Sequence, residues 1–320
     1  MPFLKKQFMG KNGRWGWMKP RTADWLLLCV AFIWGGGFPA AGLALQDGIG
    51  ASQLITMRFA VAAIVMAFVF RKHLWQIKRI DLIAGAVAGV CLFIGFAFQT
   101  IGIQYTTASK NAFITSSYVL LVPLISLIFL KKKIKWSQWG GILLMIIGIS
   151  VLSLERNLTI NLGDTLTLIC AIGFALQIIV TGVFIKRCNP YCFNTIQMLT
   201  VAIISFMWSI WTEPWQVVSL TGGLAILYLG ILSTLLGFLI QSVAQRYTSE
   251  AKVGLILSTE SLFGAILSVL ILQEPVTSRL VIGGLISLFA ILMIEFDFEK
   301  LTVIKLFRQK QMNEPEKGLS

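Results

Sequence analysis

Charge is scarce in this chain. Only 13% of its 320 residues are Asp, Glu, Lys or Arg and 57% are apolar, where a soluble domain has about 25% and about 45–50%. A water-soluble globule is excluded, and a mean hydropathy of +0.82 points to an integral membrane protein. Histidine is nearly missing: His73 is the single copy, in a basic loop. With no metal-ligand spacing and no nucleophile–base pair, the sequence supports neither a metal nor a cofactor, and an enzyme is not expected. Of the five cysteines, Cys29, Cys91 and Cys170 fall inside apolar stretches and read as small apolar side chains. Cys188 and Cys192 flank a proline in a connection assigned below to the reducing cytoplasm, which argues against a disulfide.

Sequence outside apolar runs is also scarce, leaving no room for a soluble domain. Ten stretches of roughly 18–24 residues are each long enough to span the hydrocarbon. They lie near Asp24–Leu45, Ser52–Phe70, Asp81–Ile103, Ser109–Leu130 and Trp136–Leu154, then Asp164–Ile185, Phe193–Trp211, Gly222–Gln245, Ala251–Leu272 and Ser278–Phe296. The expected fold is an all-α integral membrane protein of ten transmembrane helices.

The net charge of +13 raises the question of nucleic acid, and its distribution answers it. Of 27 lysines and arginines, 23 fall in the two tails and alternate connections; Lys110, Arg156 and Arg279 lie on the other side and Arg58 within a span. That is the positive-inside pattern, so both termini are expected in the cytoplasm of a cell that holds the chain in its inner (plasma) membrane, with no nucleic-acid role. Trp25, Trp75, Trp136 and Trp139 near one interface, and Trp211 and Trp215 near the other, form an aromatic belt; Trp34 breaks it by sitting mid-span. The first span is too long for a signal peptide's apolar core and lacks a good cleavage site, so it reads as an anchor. After the last span, Phe298–Gln311 carries Leu301, Ile304 and Phe307 among lysines, open to two readings, an interfacial helix or a plain tail.

The chain repeats itself. A shift of 142 residues brings Gly95-Phe96 onto Gly237-Phe238, Gln99 onto Gln241, Tyr105-Thr106 onto Tyr247-Thr248, Lys110 onto Lys252 and Ser116 onto Ser258. A shift of 140 brings Asp24 onto Asp164 near the half starts. Apolar composition alone would not align Gln, Tyr-Thr and Lys. The division is a basic tail over 1–23, five-helix repeats over 24–154 and 164–296, and a second tail over 297–320. Five spans per repeat force the second copy to enter from the opposite face, an inverted pair whose solute site is expected near the midplane.

These residues resemble the drug/metabolite transporter superfamily, in its ten-span branch of paired EamA-type domains. Trp34-Gly35-Gly36-Gly37-Phe38-Pro39 is similar to the family's first-span opening, Arg58-Phe59 to its second-span Arg-Phe, and Leu272-Gln273-Glu274-Pro275 to the segment that ends a repeat. Ser258-Thr259-Glu260-Ser261 resembles the ninth-span Leu-Glu-Pro, with Ser261 in place of the proline, and Lys132 stands where the first repeat often has glutamate. The resemblance covers about residues 24–296 and implies secondary transport of small metabolites, commonly export of amino acids or related compounds.

Glu260 is the leading site candidate, the sole ionisable residue in Val253–Leu272. A carboxylate at that depth costs about 2.5–3.5 kcal/mol on insertion scales, so it must be sheltered by protein or water. It is a candidate coupling group, as proton carrier or cation site; the alternative is a permanently neutral carboxyl bonded between helices. Arg58, about 9 Å along its helix from the outer end, either snorkels as an anchor or binds a solute carboxylate. The two suit a zwitterion, or they pair with each other. Asn111, Thr115 and Tyr118 share one helical face, which lines a cavity or bonds neighbouring helices. Trp34 and Phe38 are candidate cavity walls beside a Gly-Gly-Gly cluster expected to weaken the first helix, and Gln177 and Thr181 are the polar pair of the other repeat. Gln99 and Gln241 read as helix-to-helix contacts, and Gly85-x-x-x-Gly89 as a close-packing site within the bundle.

The sequence therefore points to an exporter of a small neutral or zwitterionic metabolite, such as an amino acid, working by alternating access. Its partners would be the solute, membrane lipid and protons. A proton-coupled exporter of organic cations, and a membrane receptor or scaffold that moves nothing, are the rival readings.

Overall fold

A computed structural model describes residues 20–131, 136–154, 160–212 and 214–295. Lys132, Lys133, Lys135, Arg156, both basic tails and the Phe298–Gln311 segment lie outside the described residues. The first half comprises α1 (Pro20–Gln46), α2 (Ala51–Val69), α3 (Arg79–Tyr105), α4 (Ala108–Thr115), α5 (Tyr118–Leu130) and α6 (Trp136–Ser153). The second comprises α7 (Leu162–Phe184), α8 (Pro190–Thr212), α9 (Leu220–Leu227), a π-helical stretch (Tyr228–Leu236), α10 (Gly237–Ala244), α11 (Glu250–Ser258), α12 (Glu260–Leu272) and α13 (Ser278–Glu295). Eight continuous or nearly continuous helical segments are long and apolar enough to cross a membrane, and Gln138–Ser153 and Ser278–Met293 are shorter apolar helices. No strand occurs among the described residues; Leu154 and Ile160 form one isolated bridge between the halves.

The two halves share their local chemistry at a constant offset. Thr107 and Ser249, 142 apart, cap α4 and α11 by accepting from the N–H of Lys110 and Lys252. Lys131 and Gln273, also 142 apart, end α5 and α12 in the left-handed region, at φ 53° and 55°. They are the two non-glycine residues with positive φ among those described. Between cap and terminus each half breaks its fourth helix at the same place. Ser117 and Thr259 donate to carbonyls three residues back, Ile114 and Ile256, so a tight turn separates α4 from α5 and α11 from α12.

The interruption at Thr259 forms with serine, not proline, at position 261. Ser116 Oγ and Ser261 Oγ both donate to the Ser258 carbonyl, at 3.0 and 2.8 Å, satisfying a backbone group that a break in lipid would leave bare. Conversely, the Gly35-Gly36-Gly37 cluster does not weaken its helix. α1 runs unbroken through it and through Pro39. Its glycines serve packing: a Cβ on Gly35 would come within 2.5 Å of Phe263 Cβ and 2.9 Å of Gly264 N, on α12.

Small residues set the helix spacing elsewhere too, as expected where lipid tails are as apolar as leucine and close contact drives association. A Cβ on Gly85 would approach the Phe193 carbonyl to 2.8 Å and one on Gly89 the Gln197 carbonyl to 2.9 Å, so this pair seats α3 against α8 inside the bundle. Around these crossings Phe59, Leu92, Met198 and Val201 are fully buried. Trp25, Trp75 and Trp211 are exposed, in keeping with an interfacial belt.

The crossing of α3 and α7 yields a direct check. A Cβ at Gly173 would lie 2.5 Å from Gly95 N and 2.8 Å from Gly95 Cα, both backbone, whereas one at Gly223 meets nothing closer than 3.8 Å. Gly173→Ala should lower stability by about 1–3 kcal/mol, seen as a depressed melting temperature in detergent, with Gly223→Ala unchanged. Equal melting of the two variants would contradict this crossing.

Candidate functional site

The helix breaks bring two half-helix starts together at mid-depth. Tyr118 is the first residue of α5 and Glu260 the first of α12, and Tyr118 Oη donates to Glu260 Oε1 at 3.2 Å. Both are buried. The contact joins residues 142 apart and is therefore a pairing across the repeat axis.

Arg58 enters the same space from α2. Its Nε donates to Thr234 Oγ1 at 2.5 Å and a terminal nitrogen to Ser233 Oγ at 3.0 Å. Its guanidinium carbon sits 4.1 Å from the centre of the Phe96 ring. Arg58 is 5% exposed and does not snorkel, which sets aside the anchor expectation. The π-helical stretch makes this contact possible. Its i→i+5 bonding shifts side chains out of the 3.6-residue register, and both hydroxyls and the Ser233 carbonyl then face α1 and α2. Trp34 Nε1 donates to that carbonyl at 2.7 Å, which explains a tryptophan at mid-span.

One cavity lies between these groups. It is lined by Trp34, Phe38, Arg58, Tyr118, Gln177 and Glu260 among the residues singled out from the sequence. Phe96, Gln99, Phe174, Ser233, Phe238 and Gln241 complete its aromatic and polar walls. About 40 Å³ is open to the centres of water-sized molecules, room for about three waters. No ion pair within 4.0 Å joins Arg58 to Glu260, so the expectation that they simply pair is not met. They line one cavity without touching each other.

Three residues fall outside the lining. Asn111 Nδ2 donates to Thr167 Oγ1 at 2.7 Å and to the Gln99 carbonyl at 3.2 Å. Thr115 Oγ1 lies 3.3 Å from Gln99 Nε2, and Thr181 Oγ1 accepts from Gln177 Nε2 at 3.1 Å. These are contacts between and within helices. The break after Thr115 is the reason: it rotates Tyr118 away from the face that Asn111 and Thr115 share. Gln99 and Gln241, read as helix contacts alone, also line the cavity. The phenylalanines were passed over, although Gly95-Phe96 and Gly237-Phe238 are aligned repeat pairs. The signal was a shared position on the cavity side of α3 and α10.

The cytoplasm-assigned cysteines carry no exposed thiol. Cys192 opens α8 and donates to the His73 carbonyl at 3.2 Å. Burial pushes the Cys188 thiol up to about 12.

Comparison with known proteins places this geometry. The EamA-like transporter family matches over residues 21–154 and again over 161–296. An uncharacterized transporter of Archaeoglobus fulgidus is 31% identical over 291 residues, 91% of either chain. An uncharacterized transporter of Bacillus subtilis is 22% identical, over 80% of this chain and 85% of its own. A crystal structure shares the fold at a TM-score of 0.68 and 14% identity, covering 88% of this chain and 100% of its own. With a doubled family match, a helix order repeated in each half and contacts reciprocated across the halves, the chain belongs to the EamA-like transporter family and is a multi-pass membrane transporter.

Proposed function

We propose that this transporter exports a small zwitterionic or neutral metabolite, such as an amino acid, by alternating access. The observation that carries the reading is the placement of Arg58 and Glu260 on one partly open cavity with no ion pair between them. Two buried charges of opposite sign would ordinarily be brought together, because an isolated buried charge is costly. Held apart, they leave a gap that a solute's carboxylate and ammonium groups can fill. Arg58 spends two of a guanidinium's five donors on Ser233 and Thr234, so donors remain for a carboxylate. Glu260, with Tyr118, supplies the ammonium end and is the candidate proton carrier. Trp34, Phe38, Phe96, Phe174 and Phe238 form an apolar wall suited to the solute's side chain. The positive-inside pattern supports a plasma-membrane orientation with both termini in the cytoplasm. Export of organic cations draws support from Glu260 beside the same aromatic rings, and it needs no Arg58.

Flux measured in liposomes with acidic, zwitterionic and cationic solutes separates the two. Arg58→Ala should reduce zwitterion transport by about ten- to a hundredfold, the loss of a charge-assisted hydrogen bond. Retained zwitterion flux in that variant sinks the assignment, and retention of cation flux alone selects the cation exporter. Glu260→Gln keeps the shape and removes the titrating group. Proton-driven flux should disappear while the folded yield stays near normal; undiminished flux would refute coupling through this carboxyl, and a collapsed yield would assign it a structural role.

A further inference from the structure

We propose that two repeat-related ion pairs, Lys110–Asp164 and Lys252–Asp24, are the alternate gates of the cavity, and that the gate at Asp164 is held more tightly. The inference rests on the alternating-access reading.

Each pair joins the first turn of a half-helix to the first turn of the opposite repeat's opening helix. Lys110 of α4 meets Asp164 of α7 at 2.7 Å, and Lys252 of α11 meets Asp24 of α1 at 2.8 Å. The lysines are 142 apart and the aspartates 140 apart, so one contact is the image of the other across the repeat axis. Successive crossings place them on opposite faces. Lys110 stands eight residues before Tyr118, and Lys252 eight before Glu260, about 12 Å at 1.5 Å per residue. The cavity thus lies midway between two contacts, either of which ties the repeats together at its own face. Rocking one repeat against the other to admit solute must break the pair on the side that opens.

The two gates are not equal. Asp164 is fully buried and accepts from Lys110 Nζ and from Thr106 Oγ1, each at 2.7 Å. Asp24 takes Lys252 through Oδ2, but its Oδ1 is buried without a hydrogen-bond partner among the described residues. Thr248 occupies the repeat position of Thr106 and does not close that contact. Among the described residues, a second fastening is present on the Asp164 face. The two carboxylate oxygens of Glu274 accept from the N–H groups of Ala108 and Ser109, at 2.7 and 3.1 Å, clasping α4 from the other repeat. The position 142 before it is Lys132, a cation that cannot accept from an amide. Among the described residues, opening at Asp24 breaks fewer hydrogen bonds than opening at Asp164, which favours access from the Asp24 face.

Side-specific labelling tests this without a known solute. Thr100 lines the cavity, and Thr100→Cys in a full-length chain with its native cysteines replaced can be reacted with an impermeant maleimide from either face of oriented vesicles. The unmodified gates should give faster reaction from the Asp24 face. Lys252→Ala should raise that rate further, by about two- to fivefold for a partly exposed pair. Lys110→Ala and Glu274→Gln should each shift reaction toward the Asp164 face. Exchanging charges, Lys252→Asp with Asp24→Lys, should restore the starting ratio and separates a broken gate from a misfolded chain. Reaction from both faces at rates that every gate variant leaves unchanged would overturn the gates and leave alternating access standing. Reaction from one face only in all variants would remove alternating access itself.

Discussion

The structure depends on interrupting a helix where no water can repair the interruption. In lipid every backbone donor and acceptor must find a partner within the protein. Here two interruptions meet, and the hydroxyls of Ser116 and Ser261 converge on the Ser258 carbonyl. This local repair lets each fourth helix turn sharply at mid-span, and the two turns set Tyr118 against Glu260, the phenol donating to the carboxyl.

Arg58 poses the complementary problem. A guanidinium buried without a carboxylate needs other compensation, and the π-helical stretch supplies two hydroxyls where an α-helix would present them at a different angle. The Phe96 ring covers part of the remaining face. Neutral hydroxyls and a ring stabilise the charge less than a carboxylate would. The arrangement leaves guanidinium donors that no carboxylate holds, which is what the proposed solute carboxylate would require. Trp34, holding the Ser233 carbonyl from α1, fixes the stretch that positions those hydroxyls.

Much of this was legible in the residues. The offset of 142 marks the caps, the left-handed termini, the breaks and the Tyr118–Glu260 contact, because equivalent local chemistry repeats wherever equivalent backbone does. Helix faces were less legible. The i, i+4, i+7 spacing of Asn111, Thr115 and Tyr118 assumes one unbroken helix, and a single tight turn after Thr115 invalidates it. The π-helical stretch left no mark, since Tyr228–Leu236 has ordinary α-helical apolar composition and its widening depends on tertiary contacts. Gln99 and Gln241 show a limit of a different kind. A buried amide can bridge helices and line a cavity with the same side chain, so assigning it one role discards the other.

An inverted pair of identical repeats would have two conformations related by a two-fold rotation and equal in energy, and nothing in it could prefer a side. Whatever directionality such a chain has must come from positions where its halves differ. At the centre, Tyr118 opposes Glu260. Glutamate at both positions would set two carboxylates against each other and force one to stay protonated. Tyrosine at both would leave no carboxyl at the centre. The mixed pair gives one donor and one acceptor. At the rim, Glu274 clasps the start of α4 from the other repeat, and the sequence has no carboxylate 142 positions earlier. Under the alternating access proposed above, these few unlike residues are where a preference for one face would arise.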